Sequence, residues 1–460
     1  MKILLYNSLT KQKEEFKPIE KNKVGLYTCG PTVYDYPHIG NLLAYIFWDV
    51  LKRFFLSQGY KVKHVMNLTD VGHLVSDADE GEDKLAKAGR ESGRTAWQVA
   101  DFFIKVFKRN IKDLNILKPT HFLRATETIQ EQIDFVSVLE EKGFLYQTSD
   151  GLYFDTSKLP DYGKLANLSQ IKLQEGARVA KNPEKKNPTD FAVWKFSPKD
   201  GRKRDMEWDS PWGVGFPGWH LECSVMSQMM LGDTFDIHTG GIDHLTVHHP
   251  NEMAQSEAAT GKLQANYWLH NAFNKVDGHK MAKSAGNFII LEDIKKKGYW
   301  PLAYRLLVLQ NHYRQPLNFT WLALEAAQQS LKNIIREIAF YDEPKKVIAE
   351  FAEKFDAALA DDLNTAKGLA VLQAVIDSDK PTADKLATIL KIDEVLGLNL
   401  KEFRKNFLSL SSQAKKLLKQ RSAAREKKDW DLSDDLREQL NKIGVEVQDT
   451  TQGQKAVQMK

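Results

Sequence analysis

Apolar positions recur with two different periods along the first seventy residues. Residues 24 to 29 (VGLYTC) read as a buried strand. Residues 41 to 57 place Leu42, Tyr45, Ile46, Asp49, Val50 and Phe54 on one helical face, and residues 60 to 68 return to a strand. This is a βαβ unit, and in a doubly wound sheet ligands bind where such strands end and helices begin. The segment PTVYDYPHIGN between strand and helix is therefore the first place to look for chemistry. From about 115 to 205 the periodicity breaks into short strands, prolines and the stretch KNPEKKNPTDFAVWK, which predicts an insertion within a nucleotide-binding domain. A strand resumes at TFDIHTGG, a helix follows from about 249, and beyond 300 the pattern is almost wholly helical. The last sixty residues read as a small unit of basic helices, with Leu432, Leu436, Leu440 and Ile443 on one face, followed by the alternating VEV near 445. The expected architecture is α/β: a doubly wound nucleotide-binding domain over 1–300, a helical bundle over 301–403 and a C-terminal unit over 404–460.

Composition narrows this picture in a few places. The 460 residues, 42% hydrophobic and 27% charged, suffice for more than one core. No apolar run approaches the roughly 18 residues of a membrane span, and the N-terminal apolar stretch is too short for a signal core. Two cysteines, Cys29 and Cys223, give no disulfide framework, so a reducing cytoplasm is the expected compartment. The overall charge of +4 says little, but residues 404 to 460 hold 13 basic and 8 acidic side chains, a local net of +5 suited to phosphate.

Two constellations carry candidate chemistry. Cys29 closes the first strand, Cys223 lies in GWHLEC, and His248 and Glu252 stand at i and i+4 on one helical face. Two sulfurs, a nitrogen and an oxygen suit zinc. Spacing alone leaves both cysteines equally open to a role as small buried hydrophobes, and His249 competes with His248. The second constellation concerns phosphate. At His38-Ile39-Gly40-Asn41 a helix start offers backbone N–H groups and a glycine that admits a ligand closely. Far downstream, Lys280-Met281-Ala282-Lys283-Ser284 follows a VDGH turn and places two ammonium groups on a loop. In the basic C-terminal unit, Trp430 among Arg425, Lys427 and Lys428 offers a stacking surface within positive charge, though a core tryptophan reads almost as well.

Together these residues lie in segments that resemble the cysteinyl-tRNA synthetases, class I aminoacyl-tRNA synthetases, along essentially the whole chain. The segments are TCGPTVYDYPHIGN, NLTDVGHLVSDADEGEDK, NPTDFAVWK, WDSPWGVGFPGWHLECS, FDIHTGGIDH, VHHPNEMAQSEA, KVDGHKMAKSAGNF and AAREKKDWDLSDDLREQLNKIGVEVQDTTQG. The resemblance implies that residues 1–300 form a Rossmann-type catalytic domain with an insertion, that the C-terminal unit binds an anticodon, and that Cys29, Cys223, His248 and Glu252 hold one zinc ion. It implies that His38 and Asn41 contact ATP and that Lys280, Lys283 and Ser284 close over its phosphates. Gly241 and Asp243 would hold the nucleotide ribose, Thr69 and Trp219 would wall the cysteine pocket, and Arg425, Asp434 and Asp449 would meet tRNA. ATP with Mg2+, L-cysteine and tRNA-Cys are the expected partners, no membrane is expected, and a monomer is expected. Two rivals remain: a ligase joining cysteine to an amino sugar, and a zinc-bearing RNA-binding protein without activity. The C-terminal unit argues against the first, and both phosphate signatures against the second.

Three departures from the family pattern stand out. Asn41 occupies a position where histidine is common, Ala282 one where serine is usual, and Pro250 one where glutamate is common. Asparagine still donates a hydrogen bond, alanine does not, and a proline fits the first turn of a helix, where no N–H is needed.

Overall fold

The computed structural model describes residues 1–71, 83–167, 183–197, 204–281, 286–450 and 453–458. Two compact units divide the chain. One comprises Met1–Lys296, Tyr313–Phe319 and Ala360–Leu363, the other Lys297–His312, Thr320–Leu359 and Asn364–Lys460.

The first unit is built on five parallel strands: β1 (Lys23–Thr28), β2 (Lys61–Leu68), β3 (His121–Arg124), β4 (Phe235–Gly241) and β5 (Ala265–Asn271). Their order is β5-β4-β1-β2-β3. The chain thus winds outward from β1 in one direction and from β4 in the other, and the crevice between those two is the topological switch point of a doubly wound sheet. β1 ends in buried residues and β4 is buried along nearly all its length, as expected where both faces of a parallel sheet are covered. Their register is pinned at Thr28 and Thr239, whose hydroxyl groups lie 2.8 Å apart, and at Cys29, whose N–H donates to the Thr239 carbonyl.

Three helices carry the segments of interest. α1 (Ile39–Ser57) packs an almost continuous apolar face, from Ile39 to Phe55, that leaves it little exposed surface. It begins two residues before the predicted start because His38 caps it. α2 (Trp219–Leu231) and α3 (His248–Thr260) lie side by side. Pro250 falls in the first turn of α3, where its missing N–H costs nothing.

Strand β3 is four residues long and lies inside the stretch read from sequence as insertion. Beyond it, Leu145–Thr148, Gly151–Phe154, Phe191–Phe196 and Gly215–Pro217 form an antiparallel sheet that runs past residue 205. Asp70, fully buried after β2, fastens β3 by accepting from Arg124 Nε at 2.6 Å and the Thr126 N–H at 2.9 Å.

The second unit is helical to residue 442 and ends in a hairpin of Val445–Thr450 with Gly453–Gln458. Ala414, Leu440 and Val445 form the core of its last part, with Leu417, Leu418 and Ile443 packed around them. Leu432 departs from the predicted apolar face: it is exposed, and Leu436 and Leu440 alone of that helical row are buried. No helix among the described residues is long and apolar enough to cross a membrane.

Candidate active site and metal centre

At the switch point lies a cavity of ≈ 420 Å³ whose lining includes Cys29, His38, Asn41, Thr69, Trp219, Cys223, His248 and Met281. The sheet and helices bring these residues in from five segments of chain. Glycine makes two of the approaches possible. A Cβ on Gly30 would sit 1.8 Å from the Asn67 carbonyl oxygen, and one on Gly240 would come within 2.6 Å of the His244 and His249 rings.

Cys29, Cys223, His248 and Glu252 are all buried, and their ligand atoms lie within 4.8 Å of one another. This is the quartet picked out in the sequence. A second set, Cys29, His238, His249 and Glu252, meets the same criterion, so the rivalry between His248 and His249 persists in three dimensions. Cys223 and His248 face the cavity, whereas His238 and His249 do not line it. Only the first set therefore presents its centre to a ligand in the cavity. His248 Nε2 stands 3.0 Å from Glu252 Oε1, and the His248 Nδ1 is 2.8 Å from His220 Nδ1. His249 Nε2 is 3.3 Å from Cys29 Sγ, with its Nδ1 2.8 Å from His270 Nε2.

The electrostatics of this cluster favour a cation. Burial alone would lower the His248 ring, but Glu252 and Cys223 outweigh it and hold its pKa up at about 10. Burial likewise opposes ionisation of Glu252, and His238 and His248 overcome it, holding the carboxyl well below its ordinary range. Burial drives the Cys29 thiol up, reinforced by Cys223 and Glu252. The Cys223 thiol is pushed up by burial, yet the Cys29 and His248 hydrogen bonds carry it below its usual value. The Cys223 sulfur and the Glu252 carboxylate, in a dry pocket, pull on one positive charge, and two sulfurs, a nitrogen and an oxygen fit a metal of zinc's softness.

The first phosphate signature forms a capping box. His38 Nδ1 accepts from the Asn41 N–H, and Asn41 Oδ1 accepts from the His38 N–H, each at 3.2 Å. The asparagine amide oxygen is thereby occupied, and its NH2 remains as a donor beside the cavity. Burial lowers the His38 pKa to about 4 against the opposing pull of Asp243 and Asp35, so the ring is neutral near pH 7. Gly40 sits against that ring: a Cβ there would be 3.0 Å from two of its atoms.

Other predicted residues fall in several places. Thr69 Oγ1 donates to Glu222 Oε2 at 2.7 Å and accepts from Asn67 Nδ2 at 2.9 Å, while Asn67 Oδ1 accepts from the Gly30 N–H. Asn67 and the fully buried Glu222 were not singled out in the sequence. Their signals are an acid immediately before Cys223 and an amide two residues before Thr69. The Trp219 ring lies tilted against the His248 ring, their centroids 4.5 Å apart, and lines the cavity. Gly241 ends β4 and Asp243 lies just after it, both outside the lining, although Asp243 acts electrostatically on His38. Lys280 is exposed in the short strand His279–Lys280, next to Met281. Lys283, Ser284 and Ala282 lie outside the described residues.

In the other unit, Asp449 accepts two bonds from the fully buried Arg421, at 2.8 and 3.0 Å, and further bonds from Arg425 and Arg437. The Arg421 bonds lead in holding its carboxyl below the usual range. The Arg425 guanidinium lies 5.7 Å from the centroid of the Trp430 ring, which is exposed, and Asp434 is exposed 4.0 Å from Arg437.

Residues 15–329 match the family described as "tRNA synthetases class I (C) catalytic domain", and residues 409–455 match "Cysteinyl-tRNA ligase anticodon binding domain". The chain is similar to "Cysteine--tRNA ligase 1" of Burkholderia lata, at 49% identity over 99% of this chain and 97% of that protein. It is also similar to "Cysteine--tRNA ligase" of Treponema denticola (42%, 98% of each) and of Thermococcus gammatolerans (40%, 98% of each). Among solved structures, a Mycobacterium tuberculosis methionyl-tRNA synthetase with methionyl-adenylate shares the fold at TM-score 0.59 and 15% identity, covering 85% of this chain and 94% of that one. A leucyl-tRNA synthetase complex of Agrobacterium radiobacter shares it at 0.59 and 12%, covering 85% of each chain.

Proposed function

The chain belongs to the cysteine–tRNA ligase family of class I tRNA synthetases, and on that premise we propose that it activates L-cysteine with ATP and transfers it to tRNA-Cys, selecting cysteine by its thiolate. The observation that carries this reading is the convergence of Cys29, Cys223, His248 and Glu252 on the cavity that also holds His38 and Asn41.

Cys29, Cys223, His248 and Glu252 would hold zinc, which when bound supplies a soft centre that lowers a thiol's pKa and prefers its sulfur to a hydroxyl. A site built around one required partner rejects its absence by about 10⁴–10⁵, where an apolar pocket reaches about 10². Thr69, held by Asn67 and Glu222, and Trp219, packed on His248, fix the walls of the amino-acid pocket. In activation, a cysteine carboxylate oxygen attacks the α-phosphorus of ATP, the α–β phosphoryl bond breaks, and pyrophosphate departs. The neutral His38 ring and the Asn41 NH2 donate or orient at the phosphate end. Lys280, Lys283 and Ser284 neutralise charge growing on the leaving group. Gly241 and Asp243 serve the nucleotide ribose, and Mg2+ accompanies ATP. A hydroxyl of the terminal tRNA ribose then attacks the activated carbonyl and AMP leaves. Positioning and electrostatics supply the rate, without a covalent enzyme intermediate.

The division into 1–300, 301–403 and 404–460 assigns anticodon binding to the last segment. There Trp430 supplies the exposed stacking face, Arg425 and Asp434 the polar contacts, and Asp449 holds three arginines in place. The enzyme is taken to act as a cytoplasmic monomer. Cysteine-dependent ATP–pyrophosphate exchange followed by charging of purified tRNAs tests the reading: cysteine should support both, serine neither.

A further inference from the structure

The cavity described above has an aromatic edge that the activation chemistry does not use. Tyr36, in the segment between β1 and α1, meets Phe103 edge-on at 5.2 Å and Phe102 at 6.2 Å, and the two phenylalanines meet each other at 5.0 Å. Both phenylalanines come from the helix Ala96–Asp113, whose Val99, Ala100, Ile104, Phe107 and Ile111 are buried. Phe102 and Phe103 flank that row and stay half-exposed. Tyr36 and Phe103 line the cavity, and Phe102 carries the strip outward from it. Cations accompany the strip. The exposed Arg94 guanidinium lies 4.5 Å over the Phe102 ring, and the Lys84 ammonium lies 5.4 Å over Tyr34, another cavity residue.

We propose that the edge formed by Tyr36, Phe102 and Phe103 with Arg94 is the platform on which the unpaired 3′ end of the tRNA lies as its last ribose enters the cavity. The proposal rests on the reading of the chain as a tRNA-charging enzyme and adds the place where the acceptor end is received. Transfer requires a single strand to reach the activated carbonyl, and single strands are held by aromatic faces and arginine planes for the bases together with positive charge for the phosphates. Half-exposed rings continuous with the cavity, roofed by a guanidinium, offer that combination. An edge serving only to close the core would have its rings buried.

The test uses the full-length, zinc-loaded enzyme with Phe102→Leu and Arg94→Gln combined, which keep apolar volume and length but remove the ring and the charge. Single-turnover transfer from preformed cysteinyl-adenylate should slow by about tenfold or more, while cysteine-dependent pyrophosphate exchange stays within about twofold. Phe102→Tyr with Arg94→Lys should restore most of the transfer rate. Intact tRNA should bind the double variant more weakly than wild type, and tRNA trimmed of its last three nucleotides should bind both equally. Transfer at the wild-type rate, loss of exchange in step with transfer, or equal weakening for trimmed tRNA would each overturn the assignment. A wild-type enzyme that exchanges pyrophosphate but charges no tRNA would instead overturn the functional reading beneath it.

Discussion

The cavity floor and the C-terminal unit both concentrate charged side chains, but they treat water in opposite ways. Cys29, Cys223, His248 and Glu252 are 6%, 1%, 3% and 0% exposed, whereas Trp430 is 55% exposed beside its arginines. A small thiol offers one distinguishing group, so its recognition needs donors stripped of water and fixed in place. A tRNA loop offers base faces and phosphates over a wide area, which an exposed ring and screened charges can read. Damage to the floor should therefore change which amino acid is accepted. Damage to the C-terminal surface should change only how well tRNA is held.

The sharpest way to break that contrast is Cys223→Ser. Discrimination of cysteine over serine should collapse from about 10⁴–10⁵ to about 10², as measured by pyrophosphate exchange with each amino acid, and bound zinc should fall with it. Retained discrimination would mean that selection does not come from the quartet. At the phosphate end of the same cavity, Lys283→Ala should slow adenylate formation by about 10²–10³, the usual cost of one well-placed electrostatic donor, with zinc and cysteine binding intact. Ala282→Ser should change that rate by less than about tenfold, because the present enzyme already works without a hydroxyl there. In the other region, Trp430→Ala should reduce kcat/KM for tRNA by about tenfold and leave pyrophosphate exchange unchanged, with Trp430→Phe intermediate. Loss of exchange in Trp430→Ala would show that the two regions are not separate in function.

Much of this was readable from the residues. The strand, helix and strand over 24 to 68 follow from period alone, and the cap that starts α1 at Ile39 lies in the candidate segment itself. The grouping of Cys29, Cys223, His248 and Glu252 is a candidate on residue type and a shared helical face, which leaves His249 as a rival to His248, and it is the resemblance that chooses between them. What stayed hidden was short or depended on tertiary contact. Strand β3 offers four residues, too few for a period to show, and is recognisable only by its pairing with β2. Asn67 and Glu222 act through Thr69, across 153 residues of chain between Thr69 and Glu222, a relation no local pattern records. His248 and His249 are neighbours on one helix turn, and only the cavity's position separates the ring that faces it from the ring that does not. Trp430 and Leu432 show the converse: the first reads almost as well as a core residue and the second reads as core outright, and both are exposed because the hairpin and helices fill the small core without them.

The central claim is that the buried quartet holds a metal that takes up the cysteine sulfur. Cobalt substituted for zinc reports this directly, since thiolate ligation gives an intense charge-transfer absorption that grows with each sulfur bound. The account predicts one cobalt per chain with the absorption of two thiolates, increasing on addition of cysteine and unchanged by serine. A spectrum indifferent to cysteine in a protein that still activates it would contradict the claim.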